Sequence, residues 1–317
     1  MSNKIVAERT YDIDYIDASG SGRASNCKAR YFFERILGLQ NQDRDTTALD
    51  YGTDFHAIAP LCYGAKNSDE EQQLFEHAFS VFEKLRKKRV VPETDKKHSL
   101  AFSEPRIRQF IELHAEFICP YKIIKFPFSV PENAELISDN EVPFTIDIGG
   151  DLVFCGRIDF PAELVQTGEL FSGDYKTASE ISGRLWNCFE LNAQAIGYTL
   201  ALAHISNRAV TGFMVEAIRK STNIKKTECA IHYQYVTPYE VEFFIEYMND
   251  LSKKILDCNE KKEWTKNLSA CSVYSTTGIP SGNCPFKLLC KADDWQSVAG
   301  YYKQTEPFHP FKLESGK

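Results

Sequence analysis

Gly156-Arg157-Ile158-Asp159 and, further along, Asp174-Tyr175-Lys176 are the residues on which the reading of this chain turns. The first closes an apolar run of strand length, residues 152–160. The second lies in another, residues 170–176, with a polar break over 161–168. Two such strands form a hairpin-like arrangement that brings two carboxylates and one amine together. Strand alternation puts Asp174 and Lys176 on one face and Tyr175 on the other. Two carboxylates beside a lysine suit a hard divalent cation and a water held for attack on phosphate.

Upstream of these strands the pattern is helical. Residues 1–26 read as polar and loop-like around Ser19-Gly20-Ser21-Gly22, and residues 29–38 as a short aromatic helix stopped by Gly38. Further helices are predicted over 51–61, 68–88 and 104–118. Alternation then takes over, predicting strands at 122–129, 134–149, 152–160 and 170–176. A helix over 185–205 follows, then strands at 210–218 and 228–236 and a helix over 238–257. The tail from Trp264 is loop-rich and carries three cysteines. The expected fold is α/β: one domain over 1–317, a central mixed sheet flanked by helices. Its core should span about 120–240, with a helical N-terminal part over 27–118 and a cysteine-rich C-terminal tail over 264–293.

The 317 residues carry a formal net charge of −7 and 43% hydrophobic content. The start lacks an apolar leader, and no apolar run approaches the roughly 18 residues of a membrane span. A soluble protein of the bacterial cytoplasm, with no membrane partner, is expected. The negative balance counts against a nucleic-acid binder, but net charge says little about local field. Basic runs occur at Lys84-Leu85-Arg86-Lys87-Lys88-Arg89 and from Arg219-Lys220 to Lys225-Lys226. Acid collects over 43–54 and 69–76. Each basic run alone reads as a solvated helix face or turn. Beside a phosphate-cutting core, at least one is expected to touch a nucleic-acid backbone.

Four elements in order carry a family resemblance: Gly52-Thr53-Asp54-Phe55-His56, Gly156 to Asp159, Asp174-Tyr175-Lys176, and Gln194 with Tyr198 on the following helix. Together they resemble the RecB-type branch of the PD-(D/E)XK nucleases, in its AddB-like and CRISPR-associated forms. The resemblance implies a restriction-endonuclease-like sheet and a catalytic set of His56, Asp159, Asp174, Lys176, Gln194 and Tyr198. Asp159 and Asp174, with the Tyr175 carbonyl, would hold Mg2+; His56 as a further ligand would favour Mn2+ slightly. Lys176 would orient or deprotonate the attacking water and offset charge on the phosphorane. Gln194 and Tyr198, four apart on one helix face, would support DNA or the lysine. Taken singly, an Asp at a strand end is a turn residue and a lone histidine is structural. The remaining histidines, His77, His98, His114, His204, His232 and His309, fit no element and read as structural.

Ten cysteines in an intracellular chain point to metal or packed thiols rather than disulfides. The same branch often holds a [4Fe-4S] cluster with one early and three late cysteines, which implies Cys27, Cys271, Cys284 and Cys290 as ligands. The Cys284 to Cys290 spacing matches. Cys271 and Cys284 are instead separated by a long loop containing Gly278, Pro280 and Gly282. A structural Zn2+ on the same ligands is the alternative, and unligated buried thiols a third reading. Cys62, Cys119, Cys155, Cys188, Cys229 and Cys258 read as packing residues.

No P-loop, zinc-protease or esterase motif occurs in the sequence. The expected protein is a DNA nuclease acting on single or double strands, an exonuclease rather than a site-specific endonuclease. It would stand alone or borrow a motor from a helicase or recombination partner, in phage or bacterial DNA recombination, repair or replication. The rivals are a non-catalytic DNA-binding or assembly subunit of the same fold and an RNA-directed nuclease.

Overall fold

The computed structural model describes residues 3–42, 46–89, 95–126, 135–136, 140–223, 228–271 and 284–312. The chain divides into two compact units, one of residues 1–44, 145–156 and 242–315, the other of 45–144, 157–241 and 316–317. Among the described residues no helix is long and apolar enough to cross a membrane.

The second unit is built on a five-stranded sheet: β1 (Tyr121–Ile123), β2 (Phe160–Leu164), β3 (Leu170–Ala178), β4 (Gly212–Arg219) and β5 (Cys229–Tyr235), in spatial order β5-β4-β3-β2-β1. Only β3 and β4 run parallel, with Phe171 opposite Gly212; the other pairs are antiparallel. That is the mixed sheet expected. A parallel pair needs a crossover, supplied by helix α4 (Ala193–Ser206). Helices α1 (Thr47–Ile58), α2 (Ser68–Lys87) and α3 (Leu100–Leu113) contribute Phe55, Phe82 and Phe110 to the core on the other face, with Phe160, Phe171 and Tyr175 of the sheet. The α4 face packs through Phe189, Ala195, Phe213 and Val215.

The strand expected over 152–160 is two strands, Val153–Ile158 and β2, with Asp159 at the bend between them. The break expected over 161–168 is also shorter: Pro161 pairs with Ser172 inside the sheet, and the turn is confined to 165–169, closed by Gly168 at φ +72°. Burial explains the difference, since Pro161 and Ala162 are both buried, one on each face of the sheet, rather than in a solvated loop. Gly173 is required next to Asp174, because a Cβ there would lie 2.3 Å from the Phe160 ring. The single helix expected over 185–205 is interrupted. Gly183–Trp186 and the 3-10 turn Asn187–Phe189 end before Leu191, which takes φ +47°, and Asn192 then caps α4 by accepting from the N–H groups of Gln194 and Ala195.

The first unit holds the strand Tyr15–Asp17 parallel to Val153–Cys155, and the small ladders of Lys4–Val6 with Glu263–Thr265 and Leu39–Asn41 with Tyr302–Gln304. The polar stretch around Ser19 is not a loop but the helix Ala18–Asn26. Asp17 caps it through Gly20 N–H at 2.7 Å, and the small residues Gly20, Ser21 and Ala24 let its face be buried. Trp264 is fully buried and stacks on Phe32 at 5.1 Å. Parts of the strands expected over 122–129 and 134–149 lie outside the described residues, as do Lys225, Lys226 and the loop with Gly278, Pro280 and Gly282.

Candidate active site

Asp159 and Asp174 approach one another because the bend after Ile158 turns Asp159 toward β3. Its Oδ2 accepts a hydrogen bond from the Tyr175 N–H at 2.8 Å. The same oxygen lies 3.3 Å from His56 Nδ1, presented by α1. A Cβ at Gly52 would come 3.4 Å from Thr177 Oγ1, so α1 crosses β3 at van der Waals distance just where His56 is delivered. Tyr175 thus contributes its N–H to holding Asp159, beside the carbonyl expected from sequence as a metal ligand.

Asp174 is 2% exposed. Its Oδ1 accepts from Gln194 Nε2 at 2.8 Å, and its Oδ2 forms an ion pair with Lys176 Nζ, although no aligned hydrogen bond satisfies that oxygen. Burial raises the Asp174 pKa, with the nearby Asp159 charge adding to it and Lys176 opposing. For Lys176, burial pulls the ammonium down, but Asp174 and Asp159 outweigh it and hold its pKa above that of an ordinary lysine. Alternation along β3 holds as expected: Asp174 faces α4, whereas Tyr175 turns away to stack on Phe160 at 4.4 Å. Gln194 is thus the helix residue bonded to Asp174, while Tyr198 packs edge-on against Phe144 and Phe213.

Among the described residues no three His, Cys, Asp or Glu side chains are arranged to hold a metal ion. That applies to the expected set of His56, Asp159 and Asp174 and to the expected four thiols of Cys27, Cys271, Cys284 and Cys290. The two carboxylates nonetheless suit a hard cation: the Asp159 charge adds to the raised proton affinity of buried Asp174, and a cation between them would relieve that repulsion. The four thiols stand within electrostatic reach of one another. Burial first, then Cys27, Cys271 and Cys284, pushes the Cys290 thiol up to about 12.

The Lys84 to Arg89 run is largely consumed within the fold. Arg86 pairs with Asp54 at 3.0 Å, and Arg89 with Asp54 at 3.2 Å and Asp50 at 3.6 Å. Acid and base segregated along the chain therefore meet across α1 and α2. Two features escaped the sequence reading. Arg157, two residues before Asp159, has a buried Nε, and its side chain makes no hydrogen bond or ion pair among the described residues. Beneath β3, buried Glu216 accepts from Tyr63 at 2.8 Å and from Tyr121, and meets His114 Nε2 at 2.7 Å; Tyr63 in turn lies 2.9 Å from the Tyr175 hydroxyl. The one signal for it is a lone acid inside the apolar run Phe213-Met214-Val215-Glu216-Ala217-Ile218.

A family model described as the PD-(D/E)XK nuclease superfamily matches residues 19–291. Among solved structures, the chain is similar to that of a "Putative exonuclease" from Eubacterium rectale, with TM-score 0.47, 17% identity, and coverage of 80% of this chain and 84% of that one. No curated protein matches the chain.

Proposed function

The chain belongs to the PD-(D/E)XK nuclease superfamily, and from that premise we propose that it is a divalent-metal-dependent DNA nuclease of the RecB type, working from strand ends. The observation that carries the reading is Asp174: a buried carboxylate of raised pKa, beside a second carboxylate and paired with the Lys176 ammonium. Asp159 and Asp174 would hold Mg2+ or Mn2+, with His56 ligating the ion or orienting Asp159. When bound, the cation supplies Lewis acidity toward the phosphate and a more acidic water.

The chain's own groups do the rest. The Tyr175 N–H and Gln194 fix the two carboxylates, so neither must reorganise as charge develops. Lys176, whose proton the carboxylates retain, acts as a cation that steadies the attacking water and offsets charge on the phosphorane. Arg157 supplies a free guanidinium for the substrate phosphate.

Labelled single- and double-stranded DNA and RNA, incubated with magnesium, manganese or chelator, provide the test. DNA should be shortened from its ends in either metal and remain intact in chelator. Because Asp174 must lose a proton that the fold holds tightly, activity should fade on the acid side at a higher pH than an ordinary carboxylate of about 3.9 would dictate. DNA that is bound but never cut would return the protein to a non-catalytic subunit, and cleavage of RNA alone to an RNA nuclease.

We further propose a [4Fe-4S] cluster on Cys27, Cys271, Cys284 and Cys290, supported by the partly buried setting of Cys284 and Cys290 within electrostatic reach of Cys27 and Cys271. Protein purified without air should be brown, absorb near roughly 400 nm and carry about four irons. Cys284→Ala should bleach it and Cys229→Ala should not. A colourless protein with one zinc would replace the cluster by zinc on the same ligands. A stable protein free of metal would remove both.

A further inference from the structure

The connection from β3 to α4 joins the strand carrying Asp174 and Lys176 to the helix carrying Gln194, so it rims the candidate site. Within it, Leu191 is anomalous on two counts. It adopts φ +47°, a left-handed conformation that glycine or asparagine takes at lower cost, and its apolar side chain is 65% exposed. Among the described residues, Leu191 belongs to neither apolar cluster of the sheet. Three residues separate it from Gln194, which places its Cα within about 10 Å of the Gln194 Cα.

Two further residues of the same connection, Arg184 and Trp186, lie in the short helix Gly183–Trp186. Arg184 is exposed, and its guanidinium makes no hydrogen bond or ion pair among the described residues. Trp186 stacks on His232 at 4.8 Å and 10°. His232 lies opposite Val215, and Val215 opposite Asp174, so the stacked pair stands on the Asp174 face, about 10 Å away at two strand spacings. Burial lowers the His232 pKa, which keeps that ring uncharged at pH 7. An apolar tip, an aromatic surface and one free cation beside a phosphate-cutting site match a nucleobase and its phosphate. Bases in a duplex are stacked on each other and offer an apolar side chain only their edges, whereas an unpaired base offers its face.

We propose that Leu191 is the specificity-determining contact for an unpaired nucleobase of single-stranded DNA entering the site, with Trp186 and Arg184 continuing the track. This rests on the nuclease reading above.

Binding can be separated from cleavage with a fluorescent single-stranded oligothymidylate of about fifteen nucleotides and a blunt duplex of similar length, titrated against the intact protein in calcium by anisotropy. Leu191→Gly removes the side chain and relieves the backbone. It is therefore expected to melt at or above the wild-type temperature yet bind the single strand roughly tenfold more weakly, the order expected when one leucine side chain loses its burial. The duplex should lose less than about twofold, and Leu191→Met should restore single-strand binding. Wild-type affinity in Leu191→Gly, an equal loss on the duplex, or a wild-type protein that binds no single strand would each overturn the inference. A loss of binding that tracks a lowered melting temperature would assign Leu191 to folding and also overturn it. Selective binding without any cleavage in magnesium would sink the nuclease reading and leave this one standing.

Discussion

Lys176→Ala is expected to lower the turnover number by about 10²- to 10³-fold at saturating magnesium, the range seen when one preorganised charge-stabilising group is removed, while DNA affinity stays close to wild type. The ammonium faces Asp174 and is held protonated by both carboxylates, so it meets the reaction as a cation. Its removal takes stabilisation from the transition state and little from the ground state. It also removes the charge that opposes the raised pKa of Asp174. A carboxyl that holds its proton more tightly folded than unfolded stabilises the fold fully below the ordinary carboxylate range and loses that contribution as pH rises through its folded value. Lys176→Ala pushes that folded value higher. The variant should therefore fall behind wild type in melting temperature as pH climbs from acid to neutral, and match it more closely in acid. Single-turnover cleavage and melting curves across pH read the two effects. A variant that cuts at the wild-type rate would remove Lys176 from the chemistry.

Glu216→Ala is expected to be the most destabilising single change in the sheet. Glu216 is 2% exposed, and its carboxylate is the acceptor for Tyr63, Tyr121 and His114 at once. His114 Nδ1 faces the Phe110 carbonyl at 2.5 Å and so carries a hydrogen. Truncation removes the acceptor shared by three buried groups, of which Tyr63 and Tyr121 keep hydroxyl partners while His114 Nε2 loses its own, costing about 3 kcal/mol and lowering the melting temperature on the order of 10 °C. Glu216→Gln, which keeps the shape and one acceptor, should cost about half as much. Denaturant unfolding of both variants measures this, and a loss under about 1 kcal/mol for alanine would mean that water or rearrangement satisfies the network. The Tyr175 hydroxyl reaches the same network through Tyr63, so the stability of the layer beneath β3 is connected to the residue whose N–H holds Asp159.

What the sequence showed and what it hid divide along the range of the interactions. β3 was legible because alternation is local, and Asp174-Tyr175-Lys176 carries its own face assignment. Gln194 was legible from its place in the motif order, and its bond to Asp174 follows from the crossover. Glu216 was not, since its partners stand 95, 102 and 153 residues away in sequence. The break at Leu191 was hidden for a different reason: residues 185–205 have helix-forming composition throughout, and one Asn cap with one left-handed residue overrides it. The helix at Ala18–Asn26 was missed because Gly and Ser disfavour helices in isolation, while here their small size is what permits burial. The basic run of α2 read as available charge until the fold set Asp50 and Asp54 of α1 against it.

The first unit gathers residues 1–44, 145–156 and 242–315 from three places in the chain. Synthesis runs in one direction at about 5–20 residues per second, so the opening segment waits on the order of 10–40 s for the residues that complete it. During that interval Tyr31, Phe32 and Phe33, all buried in the finished protein, have no Trp264 or Phe286 to pack against. Residues 45–241 carry every group of the candidate catalytic site and are all synthesised before that wait ends. Time, as well as contact, thus distinguishes the two units: the residues of the candidate site are all made first, and the unit gathered from residues 1–44, 145–156 and 242–315 is joined later.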